Sequence, residues 1–138
     1  MHDPPEVERL FLDANVIFSA AYLENARLLA LWKLRGVLLC SSRYAVEEAR
    51  INLEQPSQRE RIDELAGALH FFENFSSQLP PGIVLPEKDI PILAAAIEAK
   101  ADYLLTGDVR HFGPYLGKKV EGVTILLPGD YLRGKRHR

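Results

Sequence analysis

Apolar residues gather in four short runs, at residues 10–12, 37–40, 103–106 and 123–127. Each has the length of a strand and is continuous rather than alternating, as expected for strands covered on both faces. Between the runs, apolar residues recur three and four apart. Residues 25–34 place Leu28, Leu31 and Trp32 on one stripe, and residues 60–75 do the same with Ile62, Leu65, Leu69 and Phe72. Residues 42–53 and 91–100 give two more helical patterns, while Pro56 and the "QLPPG" of residues 78–82 punctuate the chain. Strands alternating with helices predict an α/β fold with a parallel sheet of four to five strands. In such sheets ligands sit beyond the carboxyl ends of the strands, so the residues just after each run deserve inspection.

Acids stand at those places. Asp13 directly follows "RLFL", and Asp108 follows "YLLT" by way of Gly107. Asp89 stands two residues before Pro91, which suits the first turn of a helix. That helix leads by a tight turn into the strand carrying Asp108, so its N-terminus should lie over the strand's C-terminal end. The oily segment between Asp89 and Asp108 is thus a spacer that folds two distant acids onto one edge. A fourth acid comes from "SSRYAVEEAR". Glu47 has Arg43 and Arg50 at surface-pair spacing, whereas Glu48 shares the apolar stripe of Tyr44, Ala45 and Ile51. The stripe favours Glu48, with Glu47 as the alternative. Each acid also has a plainer use: Asp13, Asp89 and Asp108 could cap the element that follows, and Glu48 could be a boundary residue of its helix. Several carboxylates crowded on one edge repel, however, and a hard divalent cation is the economical partner.

Composition bounds the rest. The 138 residues suit a single domain, with a core over about 8–128 and a basic tail over 131–138. Hydrophobic residues make up 47% and charged residues 26%, ordinary for a globular protein. A net charge of −2 supplies no global field toward nucleic acid, so a polyanion would need a local basic patch or a metal. Arg43, Arg50, Arg110, Lys118 and Lys119 are the candidate cations. The single cysteine, Cys40, sits in an apolar run and reads as a buried free thiol, in keeping with a reducing cytosol. The polar opening is not a signal-peptide pattern and no apolar run reaches ~20 residues, so a soluble cytoplasmic protein without membrane contact is expected. There is no P-loop, no nucleophile elbow and no zinc spacing; His2, His70, His111 and His137 are scattered.

Taken in order, "FLDANVIFSA", "SSRYAVEEA", "KDIPILAAAIEAKADYLLTGD" and "GVTILLPGDYL" resemble the PIN-domain ribonucleases, including the VapC-like and putative-toxin branches. The resemblance implies a three-layer α/β/α sandwich and a metal-dependent endoribonuclease using magnesium or manganese. By motif it implies catalytic Asp13, Glu48, Asp89 and Asp108, with the metal held by Asp13, Asp89 and Asp108. Asn15, Ser19 and Thr106 are implied as supporting polar residues. His111 lies near the pocket by position, but the family makes no catalytic base of it, and it stays outside the catalytic set. The implied partners are RNA, an antitoxin protein and a second copy of the chain; the third helix with its aromatic end "HFFENF" is the candidate face for the dimer or the antitoxin, and its stripe reads equally as core-facing. The alternative is a catalytically weak binding or RNA-processing module with the same fold. A flavodoxin-like receiver, which also gathers acids at strand ends, fits less well because "RLFLDAN" offers only one acid.

Overall fold

A computed structural model describes residues 7–74 and 78–136. Six strands form one sheet in the order β3-β2-β1-β4-β6-β5. They are β1 (Glu8–Leu12), β2 (Val37–Ser41), β3 (His70–Phe71), β4 (Tyr103–Leu105), β5 (Lys119–Val120) and β6 (Val123–Leu126). All neighbours run parallel except β5, which is antiparallel to β6 at one edge. Helices cover both faces, giving the expected α/β sandwich, with two short strands, β3 and β5, added at the edges. Leu10, Phe11 and Leu12 of the central strand are fully buried, as a strand covered on both faces requires. The β5–β6 hairpin turns on two residues, Glu121 (φ 48°) and Gly122 (φ 86°). Two successive positive φ values are what a twist-compatible two-residue hairpin needs.

The helices are α1 (Ala14–Tyr22), α2 (Arg43–Ile51), α3 (Pro56–Ala66), α4 (Ile90–Glu98), α5 (Val109–Phe112) and α6 (Pro128–Arg136). The predicted helix over 25–34 is a 3-10 turn at Arg27–Lys33, anchored where the Trp32 indole N–H donates to Leu65 O at 3.1 Å.

The predicted helix over 60–75 is corrected. It ends at Ala66, where the Gly67 N–H closes the last turn onto Asp63 and Glu64 carbonyls. His70 and Phe71 instead pair with Cys40 and Ser41 at the sheet edge, and Phe72 N donates to Ser41 O at 2.9 Å. Unpaired backbone on β2 offered these residues more than another helical turn, so the aromatic-ended helix proposed as a dimer face does not form. His70 is exposed on this strand rather than on a helix, and Phe75 lies outside the described residues. Residues 128–136, read from sequence as leading into a tail, form α6; Tyr131 is buried edge-on against Tyr103 with centroids 5.1 Å apart and bonds Glu8.

The turn between α4 and β4 sets the site. Ala101 N donates to Ala96 O at 3.1 Å and Lys100 N to Ile97 O at 3.0 Å, with Lys100 at φ 52°. This six-to-one and five-to-two pair is a Schellman ending, with lysine at the left-handed position that glycine usually fills. It reverses the chain within a few residues, so α4 runs back along β4. Buried Ile92, Leu93, Ala94, Ala95 and Ala96 make α4 apolar on most of its circumference and press it onto the sheet. Cys40 is buried and free, and burial pushes its thiol up to about 11, leaving it unreactive at neutral pH. No described helix is long and apolar enough to cross a membrane.

Candidate metal centre

Strands β1 and β4 are parallel neighbours, with Leu12 opposite Leu105. The residues just beyond them therefore meet at one rim. Asp13 caps α1: its Oδ1 accepts from Ala14 N at 2.7 Å. Its Oδ2 accepts from the Thr106 hydroxyl at 2.8 Å and from Asn15 Nδ2 at 3.3 Å. Asn15 reaches the other way too, its Oδ1 accepting from Gly107 N at 2.8 Å. The Thr106 hydroxyl also accepts from Asp108 N at 3.0 Å. Asn15 and Thr106 thus stitch the two strand ends together and fix both aspartates.

Asp108 caps α5, its Oδ1 accepting from His111 N at 3.0 Å. Asp89 ends a 3-10 turn, Glu87–Asp89, ahead of α4, and its carboxylate makes no capping bond. The plain capping use therefore holds for one oxygen each of Asp13 and Asp108, and fails for Asp89. Asp89 is only 6% exposed. A buried carboxylate not spent on its own helix is a costly arrangement that calls for a partner.

A cleft of about 630 Å³ opens at this rim, lined by Asp13, Asn15, Glu48, Asp89 and Asp108 together with Phe18, Asn52 and Lys88. Glu48 faces it from half-buried positions on α2, while Glu47 is exposed and lies outside the lining. Arg50 pairs with Asp63 of α3 rather than with Glu47. Thr106 is fully buried behind the lining. Ser19 is exposed one turn beyond Asn15 on α1 and does not reach the cleft lining.

His111 emerges as a neighbour that the sequence placed only roughly. Its Nδ1 lies 2.8 Å from Asp89 Oδ2 and 2.8 Å from Asp108 Oδ2. Ligand atoms of Asp89, Asp108 and His111 all fall within 4.8 Å of one another, and this tight trio does not include Asp13, whose oxygens are turned to Ala14, Thr106 and Asn15. The signal for His111 was its spacing, three residues after Asp108 on a helix that Asp108 itself caps.

Crowding shows in the acid strengths. Burial pushes the Asp13 carboxyl up to about 6, against the Thr106 and Ala14 hydrogen bonds that favour its charge, and the Asp89 and Glu48 charges add to the rise. Burial also raises Asp89, opposed by His111 and reinforced by Asp108. Carboxylates that resist ionisation beside one another suit a divalent cation with oxygen preference, and the buried Asp89 Oδ2, close to His111 Nδ1 but without an aligned hydrogen bond, is the observation that tests this fit.

A family model described as "PIN domain" matches residues 9–110, from the first strand through the acids at the rim to α5. No curated protein matches the chain.

Proposed function

The chain belongs to the PIN-domain family, a family of nucleases, and on that footing we propose that it is a metal-dependent endoribonuclease. The observation that carries the proposal is the convergence of Asp13, Asp89 and Asp108 with Glu48 on one cleft at the carboxyl ends of β1 and β4. Asp13, Asp89 and Asp108 would hold magnesium or manganese. Such an ion, when bound, lowers the pKa of attached water and offsets charge on phosphoryl oxygens. The protein's own share is positional. Thr106 and Asn15 keep Asp13 aimed at the rim, and the capping bond from His111 N keeps Asp108 there. To Glu48, which lines the cleft from α2, we assign the taking of a proton from a cleft water. Exposed Lys88 at the cleft and Arg110 just past Asp108 offer the phosphate contacts that the acids do not.

The test is cleavage of a labelled single-stranded RNA with Mg²⁺ or Mn²⁺. Asp13→Asn and Asp108→Asn should each lose about 10²-fold or more while melting cooperatively, and EDTA should silence the wild type. Unchanged cleavage in both variants would overturn the proposal. As biological setting we propose the toxin of a toxin–antitoxin pair, in which a basic segment of the antitoxin would suit the acidic cleft. Expression should then arrest growth, and Asp13→Asn should relieve the arrest.

A further inference from the structure

We propose that His111 is a direct nitrogen ligand of this metal centre, and that it biases the cleft toward manganese or cobalt over magnesium. The inference rests on the metal-dependent reading above and names what an all-carboxylate description leaves out.

The geometry builds from the start of α5. Asp108 caps that helix through His111 N, which brings the residue one turn on back over the carboxylate. Fully buried Phe112 pins the helix beside it. His111 Nδ1 then stands 2.8 Å from one oxygen of Asp89 and 2.8 Å from one oxygen of Asp108. A single imidazole nitrogen carries either one proton or one lone pair, so it gives at most one well-aligned hydrogen bond or shares one proton between the two carboxylates. Asp89 Oδ2 and His111 Nδ1 are in fact buried atoms with no aligned hydrogen bond, despite their closeness. Asp89 itself is more than nine-tenths buried. Two carboxylate oxygens converging on one ring nitrogen, with Asp89 Oδ2 and that nitrogen lacking an aligned hydrogen bond, form a ligand set that a cation can occupy in place of the imidazole proton.

The spacing agrees. Ligands at right angles around an ion ~2.1 Å away stand ~3.0 Å apart. The two nitrogen–oxygen separations, 2.8 Å each, lie close to that value, a spacing that an imidazolium–carboxylate pair shares. Magnesium prefers oxygen and water, whereas imidazole suits transition ions, so a nitrogen corner shifts selectivity toward the latter.

The experiment uses the full chain with Mn²⁺ and Mg²⁺ as probes. Pulsed electron paramagnetic resonance on the Mn²⁺-loaded protein reads coupling to ¹⁴N directly, and calorimetric titration reads affinity. Wild type should show ¹⁴N coupling that His111→Ala abolishes. The same variant should weaken Mn²⁺ about tenfold or more, and Mg²⁺ by less than about twofold. His111→Gln serves as a second variant that retains a polar side chain, and thermal melting confirms that both fold. Mn²⁺ bound by wild type without ¹⁴N coupling, or with undiminished affinity in both His111 variants, overturns this inference alone if Asp89→Asn and Asp108→Asn still weaken it. Failure of wild type to bind Mn²⁺ at all overturns the metal-dependent reading with it.

Discussion

Replacing Asp13 with asparagine should shift the stability of the metal-free protein in the variant's favour as pH rises. Burial holds the Asp13 carboxyl at about 6 in the folded chain against an ordinary value of 3.8. Below both values the group is protonated in folded and unfolded states alike and contributes nothing. Between them the folded state keeps its proton while the unfolded state has lost it, so stability falls as pH rises. Above about 6 both states are ionised and the full penalty stands, on the order of 3 kcal/mol for a shift of this size. Asp13→Asn removes that penalty. Asparagine caps helices about as well as aspartate, so its one oxygen can keep the Ala14 bond, but its amide nitrogen then replaces the oxygen that accepts from Thr106 and Asn15, a loss that does not vary with pH. The stability of the variant relative to wild type should therefore rise by about 1.5 kcal/mol between pH 5 and pH 8. For a chain of 138 residues that rise corresponds to roughly 5 °C in Tm. Calorimetric melts in EDTA at the two pH values measure it, and added Mn²⁺ should shift the balance back toward wild type at pH 8 by stabilising it more than the variant. A difference that does not change with pH, or that moves against the variant as pH rises, would refute the reasoning.

Three further outcomes follow from the same contacts. Thr106→Val removes the hydroxyl that bonds Asp13 and Asp108 N, and should weaken Mn²⁺ binding about 10- to 100-fold by titration; a change under about twofold would contradict its positioning role. Glu48→Gln should slow RNA cleavage about 10²-fold in single-turnover assays, whereas Glu47→Gln, outside the cleft, should remain within about twofold. Phe112→Ala, which empties a fully buried site under α5, should cost about 3–5 kcal/mol in denaturant unfolding.

Much of this architecture is legible from residue order. The four longer strands announce themselves as continuous apolar runs, and the reversal between Asp89 and Asp108 follows from a helix, a short turn and a strand in succession. Helix α1 is harder to read. Its sequence, "ANVIFSAAY", carries Val16, Ile17 and Phe18, residues of modest helix propensity, and its stability comes from burial against α2 and α3. The strand at His70–Phe71 is hidden for a related reason: apolar spacing carries on past Gly67 in a helical rhythm, and only the open edge of β2 decides otherwise. At the site, chain position brings out the aspartates because strand ends point the same way. The parting of Glu47 from Glu48 follows the apolar stripe of α2. Ser19 shares the face of Asn15 but stands a full turn further out, a distance that residue order alone does not weigh. For His111 the three-residue spacing from Asp108 is the only hint, and the capping bond that closes α5 over Asp108 is a matter of side-chain geometry.

The most direct measurement of the central claim is the anomalous difference map of a crystal grown with Mn²⁺. A peak in the cleft, within coordination distance of Asp89 and Asp108 and bounded by Asp13, is the predicted result. A fully formed cleft with no peak at saturating Mn²⁺, or a peak that persists there after both Asp89 and Asp108 are changed to asparagine, would contradict it.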